Sequence, residues 1–203
     1  MVGRQMLQLV FAYGHGLAPV TDLRGGAHFG LNQGLPWKHL SQDLKNFKSR
    51  TQDTMLIMGA NTFKSLPGRL PGRTHIVVQD LHRPRVQAKD GSYADYYVNE
   101  YALRVFLTTN HTLLAEDVMR NPVNLSKNGQ YSIIGGPAIL SLALPYVDRI
   151  VMSKITKKAM MNSDVKLDRS FVHSVIQHPM VETHFWVIDE ITTLTETVYK
   201  VEN

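Results

Sequence analysis

The chain has no cysteine. That absence excludes a disulfide framework, a thiol nucleophile and any cysteine-ligated metal, and it suits a reducing, cytoplasmic setting. Long apolar runs are missing too. Nothing approaches the roughly 20 apolar residues of a membrane-spanning helix, and the apolar run near the N-terminus is too short for a secretory signal. No block of like charge occurs. Lys and Arg number 22 against 17 Asp and Glu, which gives a net charge of +5, but the cations are scattered and no dense basic run with interleaved aromatics appears. The excess suits an anionic ligand such as a nucleotide or polyglutamate, or simply a solvated basic surface. Neither a nucleic-acid nor a membrane partner is expected.

Several signatures of chemistry are absent as well. There is no GxGxxG fingerprint and no GxxxxGK[ST] loop, which argues against the Rossmann dinucleotide fold and P-loop chemistry. No GxSxG elbow occurs. The nine histidines include no HxH or HExxH pair at ligand spacing, so no metal is expected, and a lone strand histidine such as His75 reads as structural or surface.

What is present fits one globular domain, 1–203, with an enlarged excursion around 80–129. At 203 residues and 43% hydrophobic composition the chain can bury a sizeable core. Apolar runs predict strands over 7–12, 54–59, 73–78, 131–134 and 149–155. Helical spacing or helix-opening signals mark 40–48, 60–66, 100–109 and 138–144. Residues 13–34 carry six glycines and read as one long loop, usually a functional feature inside a compact domain. Residues 110–129 read as a surface excursion. Alternating segments 180–189 and 193–201 predict a C-terminal antiparallel hairpin. The pattern is α/β, with a mostly parallel sheet and an antiparallel edge.

The chain is organised around the loop ending at Pro36-Trp37 and the helix after it. Leu40, Asp43, Phe47 and Arg50 share one side of that helix, and Leu44 widens its apolar part. A carboxylate therefore points where apolar side chains point. A buried Asp without a cation is costly, so Asp43 either awaits a ligand with N–H donors or sits in the first helical turn to suit the macrodipole. Two strand-to-helix junctions, Gly59-Ala60-Asn61-Thr62 and Ile134-Gly135-Gly136-Pro137, lie where open α/β sheets bind ligands. Each is a phosphate seat or merely a turn.

Three groups of residues, in this order and spacing, resemble dihydrofolate reductase over nearly the whole chain. They are Gly34-Leu35-Pro36-Trp37 with Asp43-Leu44 and Phe47-Lys48; Ile57-Met58-Gly59 with Thr62-Phe63, Ser65-Leu66 and Leu70-Pro71-Gly72-Arg73; and Ile134-Gly135-Gly136. The Ile134-Gly135-Gly136-Pro137 step and the long tail hairpin are most similar to the reductases of T4-like tailed phages, which implies a host-cell cytoplasm. The resemblance implies a central, mostly parallel eight-stranded sheet with flanking helices.

It also implies roles. Asp43 would bond the pterin ring and favour protonation at N5, Ser153 would support that carboxylate, and Trp37 would hold an ordered water. Val10, Phe11, Leu44, Phe47, Lys48, Leu66, Arg69, Leu70 and Ile134 would line the substrate site, with Arg73 clamping the glutamate α-carboxylate. NADPH is the implied cofactor. Ala12, Phe29, Gly30 and Leu35 would meet its nicotinamide end. Gly59, Ala60, Asn61, Thr62, Gly135, Gly136, Pro137 and Ala138 would hold its phosphates, the Gly135–Gly136 peptide being cis in such enzymes. Val78, Gln79 and Arg83 would also bind it. Implied ligands are dihydrofolate, its polyglutamates and antifolates such as methotrexate, for a monomer or a homodimer. The chain departs from the family at Ala60, where many members carry an Arg to the 2′-phosphate. It departs again at Asp80, whose charge would repel that group, with His82, Arg83 and Arg85 following. The rival readings are a riboflavin-pathway reductase on the same fold and a non-enzymatic protein that kept it.

Overall fold

The computed structural model describes residues 6–17, 27–37, 39–109, 112–126 and 128–202. Two compact units interleave in sequence, one built mainly from Thr51–Val147 and the other from Val10–Arg50 and Asp148–Glu202. Strand β1 (Met6–Leu17) contributes its start, through Leu9, to the first unit and the rest to the second.

In the first unit the strands are β3 (Met55–Gly59), β4 (Thr74–Val78), β5 (Tyr96–Val98), β6 (Leu113–Glu116), β7 (Pro122–Leu125) and β8 (Gln130–Gly135). They lie in the order β1-β8-β3-β4-β5-β6-β7. Pairing is parallel from β1 to β5 and antiparallel beyond it. Leu9, Ile57, Ile76 and Ile133 are fully buried, as expected of parallel strands covered on both faces, which read as continuous apolar runs. Each such side chain contributes about 1.5–3 kcal/mol of burial. Helices α2 (Ala60–Ser65), α3 (Glu100–Thr109) and α4 (Pro137–Ala143) flank these strands. On α3, Leu103 and Phe106 repeat at helical spacing and are buried, and the Phe106 ring meets Tyr131 of β8 edge-on at 5.0 Å.

The second unit orders its strands β11-β12-β9-β1, where β9 is Arg149–Met160, β11 Met180–Val187 and β12 Thr192–Lys200. A short strand β2 (Ala27–Gly30) pairs with both β1 and β10 (Val165–Leu167). Helices α1 (Ser41–Arg50) and α5 (Arg169–Ile176) complete it. Asp168 caps α5, accepting the Ser170 backbone N–H at 2.7 Å.

The α/β fold with flanking helices is as expected, and so is the C-terminal hairpin, now β11–β12. Three expectations change. Among the described residues the strands number twelve rather than eight, and the sheet is mixed rather than mostly parallel. Residues 13–34 are not one loop: β1 continues to Leu17 and β2 begins at Ala27, with 18–26 outside the described residues. The 110–129 excursion is a hairpin, β6–β7, that prolongs the sheet past β5. Glycine content hid the end of β1, because Gly14 and Gly16 serve packing there. A Cβ on Gly14 would stand 3.1 Å from the Trp37 ring and run into Met161.

Candidate active site

In the second unit, α1 carries Asp43 in its first turn with only 7% of the residue exposed. Burial pushes its pKa up to about 6; the Trp37 N–H pulls it down and the Glu196 charge pushes it up further. Trp37 is itself buried, yet its Nε1 completes no hydrogen bond among the described residues. Its pull on Asp43 is therefore that of a nearby dipole rather than of a formed bond. A shifted acid beside an orphaned indole N–H is a polar pair prepared for a third group.

Trp37 is anchored by Ile155, Met161 and Leu194, with Ala12 and Leu40 packed alongside. Leu44 does not complete an apolar face as its spacing suggested: it is 41% exposed, Phe47 is half-buried and Lys48 is exposed. Asn46 takes the inner position instead and accepts a 2.8 Å bond from Gln42. Arg50, at the end of the same face, donates to Glu196 at 2.6 and 2.9 Å and to Glu182 at 2.5 Å. Ser153 is buried and stands opposite Glu196 across β9 and β12, but it forms no hydrogen bond with Asp43. The group acting on Asp43 from these strands is Glu196. Sequence reasoning missed Glu196, although it shares the inward row with Leu194 and Val198.

Val10 and Phe11 are buried in β1, and the Phe11 ring packs against Phe171 at 5.4 Å. Phe29 and Gly30 are half-buried in β2. Leu31 and Gly34 then exchange both backbone bonds, at 2.9 and 3.0 Å, around Asn32 and Gln33 at φ 49 and 57. Two positive φ values make this a type I′ turn. Asp164 fastens it by accepting the Asn32 N–H at 2.8 Å. Leu35, just after it, is 49% exposed.

The first unit brings the two glycine junctions together. Met58 pairs with Gly135 after the register slips past Ile134, so β3 and β8 end side by side. Helices α2 and α4 start there, neither with a side-chain cap. Their first-turn N–H groups are left for another acceptor, less so in α4, where Pro137 has none to give. The Gly135–Gly136 peptide is cis, and Gly135 has φ +147, where a side chain is strained. A Cβ on Gly136 would meet nothing nearer than Thr62 Oγ1 at 3.6 Å. Ala60, Asn61 and Thr62 form the first turn of α2, and Ala138 lies in the first turn of α4.

After α2 the chain turns back toward β4. Leu66 closes α2 by donating to the Phe63 carbonyl at 3.1 Å. Leu70 is half-buried, and Gly72 adopts φ +71, which only glycine takes without strain. Arg73 Nη1 donates to Thr51 Oγ1 at 3.0 Å and Nε to the Pro71 carbonyl at 3.3 Å. Arg69 is ion-paired with Asp95.

Past β4, Val78 is buried and Gln79 staples the 79–86 loop, donating to the Asp80 and Pro84 carbonyls and accepting the Val86 N–H. Asp80 turns into its own loop, accepting the His82 N–H at 3.0 Å and lying 3.5 Å from Arg83. Arg85 is no surface cation. Its side chain is 5% exposed, paired with Glu116 and stacked over Tyr97 at 4.9 Å. Arg83 and His82 remain exposed. A cavity of about 630 Å³ opens beside this loop, lined by Leu81, Asn99, Tyr101 and Ala102 and by Leu114 and Glu116 of the inserted hairpin.

Comparison with known proteins bears on all these residues at once. The dihydrofolate reductase family pattern matches residues 24–174. Dihydrofolate reductase type 9 of Escherichia coli is 30% identical over 168 residues, 82% of this chain and 78% of that protein. The Bacillus subtilis dihydrofolate reductase is 31% identical over 126 residues, 62% of this chain and 61% of that one. Among solved structures, a dihydrofolate reductase from Enterococcus faecalis, complexed with NADP(H) and RAB-propyl, superposes with a TM-score of 0.62 over 97% of both chains, at 23% identity. The matched span takes in the Pro36-Trp37 loop, the buried acid and both glycine junctions, and on it the chain belongs to the dihydrofolate reductase family.

Proposed function

We propose that the protein is an NADPH-dependent dihydrofolate reductase, converting 7,8-dihydrofolate to 5,6,7,8-tetrahydrofolate in support of thymidylate and purine synthesis. The observation that carries this reading is Asp43: among the described residues it is a buried acid with no cation acting on it, its pKa raised to about 6, beside an indole N–H that completes no hydrogen bond there. A pterin supplies the missing N–H donors at N3 and the 2-amino group. Asp43 orients that ring and favours the proton at N5, while Trp37 holds a water beside it. An acid titrating near the working pH is the condition for effective proton transfer. Phe47 and Leu44, partly uncovered on α1, wall the pterin and benzoyl rings with Leu66, Leu70 and Ile134. Val10 and Phe11 line the pterin, and Lys48 and Arg69 lie toward the tail.

NADPH, when bound, supplies the hydride delivered to C6. The cradle fits such a group: two uncapped helix starts offer N–H donors to a pyrophosphate, and Gly59, Gly135 and Gly136 leave room for close approach. Arg83, exposed and 3.5 Å from Asp80, would meet the 2′-phosphate in place of the Arg absent at Ala60. The 29–35 segment, with Ala12, shields the nicotinamide from water. Ile134-Gly135-Gly136-Pro137 and the long β11–β12 hairpin support a tailed-phage type working in a host cytoplasm.

The test is NADPH oxidation with dihydrofolate, run beside NADH and with methotrexate. Rapid, methotrexate-blocked turnover is expected; its absence from folded protein overturns the assignment. Arg73 presents its charge to the substrate's glutamate α-carboxylate, a bidentate task. Arg73→Leu is expected to raise the KM for dihydrofolate about 100-fold, the equivalent of about 2.7 kcal/mol. The KM for NADPH should not follow it.

A further inference from the structure

His75 lies in β4 among Ile76, Val77 and Val78 and is fully buried. An apolar residue would suit that position as well, and a polar ring with no solvent contact must find partners. Its Nε2 accepts the Leu70 backbone N–H at 3.0 Å. A ring nitrogen that accepts a bond carries no proton, so the hydrogen sits on Nδ1. Nδ1 lies 3.5 Å from Asp95 Oδ2 without completing a hydrogen bond among the described residues, so Asp95 acts on the ring through its charge. The same oxygen accepts the His75 backbone N–H at 2.8 Å. Burial favours protonation of Asp95, but the His75 ring and backbone N–H groups and the Arg69 charge outweigh it and hold the carboxyl ionised to lower pH. Phe63 closes the other side, its ring centroid 6.0 Å from the imidazole.

These bonds converge on one short segment. Up to Pro67 the backbone is tied to the next loop, by Lys89 N–H to the Leu66 carbonyl and Asp90 N–H to the Pro67 carbonyl. Beyond Pro67 the Leu70 N–H is tied to His75, and Arg69 is drawn to Asp95 on the same side.

We propose that His75, backed by Asp95, is a positioning residue for the substrate's tail: it latches the 68–72 turn so that Leu70 and Arg73 meet the aminobenzoyl-glutamate end of dihydrofolate. The inference rests on the reductase reading above. It assigns His75 no contact with substrate. The latch acts on binding of the tail, not on hydride or proton delivery near Asp43.

The test compares His75→Leu with His75→Gln, whose side-chain oxygen reaches the Nε2 position and restores the acceptor. Two substrates are used, dihydrofolate and dihydrobiopterin, which lacks the tail. His75→Leu should raise the KM for dihydrofolate about tenfold, as loss of one buried acceptor predicts. It should leave kcat, the KM for NADPH and the kinetics with dihydrobiopterin within about twofold, a change of about 0.4 kcal/mol. His75→Gln should recover most of the dihydrofolate affinity. If His75→Leu does not fold, Asp95→Asn, at a partly exposed site, takes its place beside His75→Gln, with a smaller rise confined to the tailed substrate. An unchanged KM for dihydrofolate in a folded variant, or an equal loss with dihydrobiopterin, overturns the latch. Dihydrofolate turnover by the unaltered protein tests the underlying reading separately.

Discussion

Asp43→Asn is expected to lower turnover at neutral pH by about 100- to 1,000-fold, within the range that a positioned acid–base group contributes, while leaving NADPH affinity unchanged. The amide keeps the shape and one acceptor oxygen but cannot carry the charge that draws a proton to N5. Activity should return as the pH falls, because a substrate already protonated in solution no longer needs that charge. Unchanged neutral-pH turnover in the variant would falsify the role given to Asp43.

The same substitution should stabilise the fold at neutral pH. Asp43 has a folded pKa of about 6 against 3.8 for a free Asp carboxyl, so between those values the native state holds more protons than the unfolded chain. Stability is then greatest below the unfolded value and falls as the pH rises through the folded one. The loss is complete above about pH 6 and amounts to about 3 kcal/mol. Asp43→Asn removes this penalty. Its Tm should exceed the parent's at pH 8, and the two should converge near pH 4. A site that costs stability where it gives activity is what a functional acid looks like energetically.

Arg50→Met is expected to destabilise the protein by about 3–5 kcal/mol, a drop in Tm of roughly 10 °C for a chain of this size. The reason is Glu196, which is 3% exposed and bonded to Arg50 at 2.6 Å. Without the guanidinium its charge is left buried and loses its hydrogen-bonded partner, with the non-bonded Arg149 charge still acting on it. Glu182, now held down to about 2 chiefly by Arg50 and then by His184, loses its main partner. The double variant Arg50→Met/Glu196→Leu should recover most of the loss, since replacing a whole buried ion pair by apolar groups is often neutral. The single variant should also shift the pH profile of turnover upward, because an uncompensated Glu196 raises the proton affinity of Asp43 further. Thermal melts of the two variants and a kcat pH profile of the single one check both statements. A single variant as stable as the parent would show that Arg50 does not neutralise this site.

Several of these residues could be read directly from the chain. Asp43 stood out because a carboxylate at helical spacing with Leu40 and Phe47 has no local reason to face inward. Gly59, Gly135 and Gly136 stood out because each follows an apolar run and opens a helix. The helix over 100–109 and the C-terminal hairpin follow from periodicity alone. The missed elements have physical reasons too. β2 (four residues) and β10 (three residues) are too short to show a period, and they exist because β2 pairs with β1 and β10 with β2. The β6–β7 hairpin has a lone apolar row and needs β5 as its template. Glycines that make room for Met161 and Trp37 look, in sequence, like glycines of a loop.

The sequence by itself therefore determined the α/β class, the strand-to-helix junctions, the inward acid and the family, because these rest on local periodicity and on residue order. Tertiary structure alone decided which charges govern that acid. Glu196 and Glu182 are more than 130 residues from Arg50 along the chain, and Asp95 meets His75 only where β4 and the segment before β5 come together. It also decided that Arg85 is buried beneath the inserted hairpin rather than offered to a ligand. Electrostatic partnership depends on distance and burial in space, and neither quantity is written in the spacing of residues along a strand.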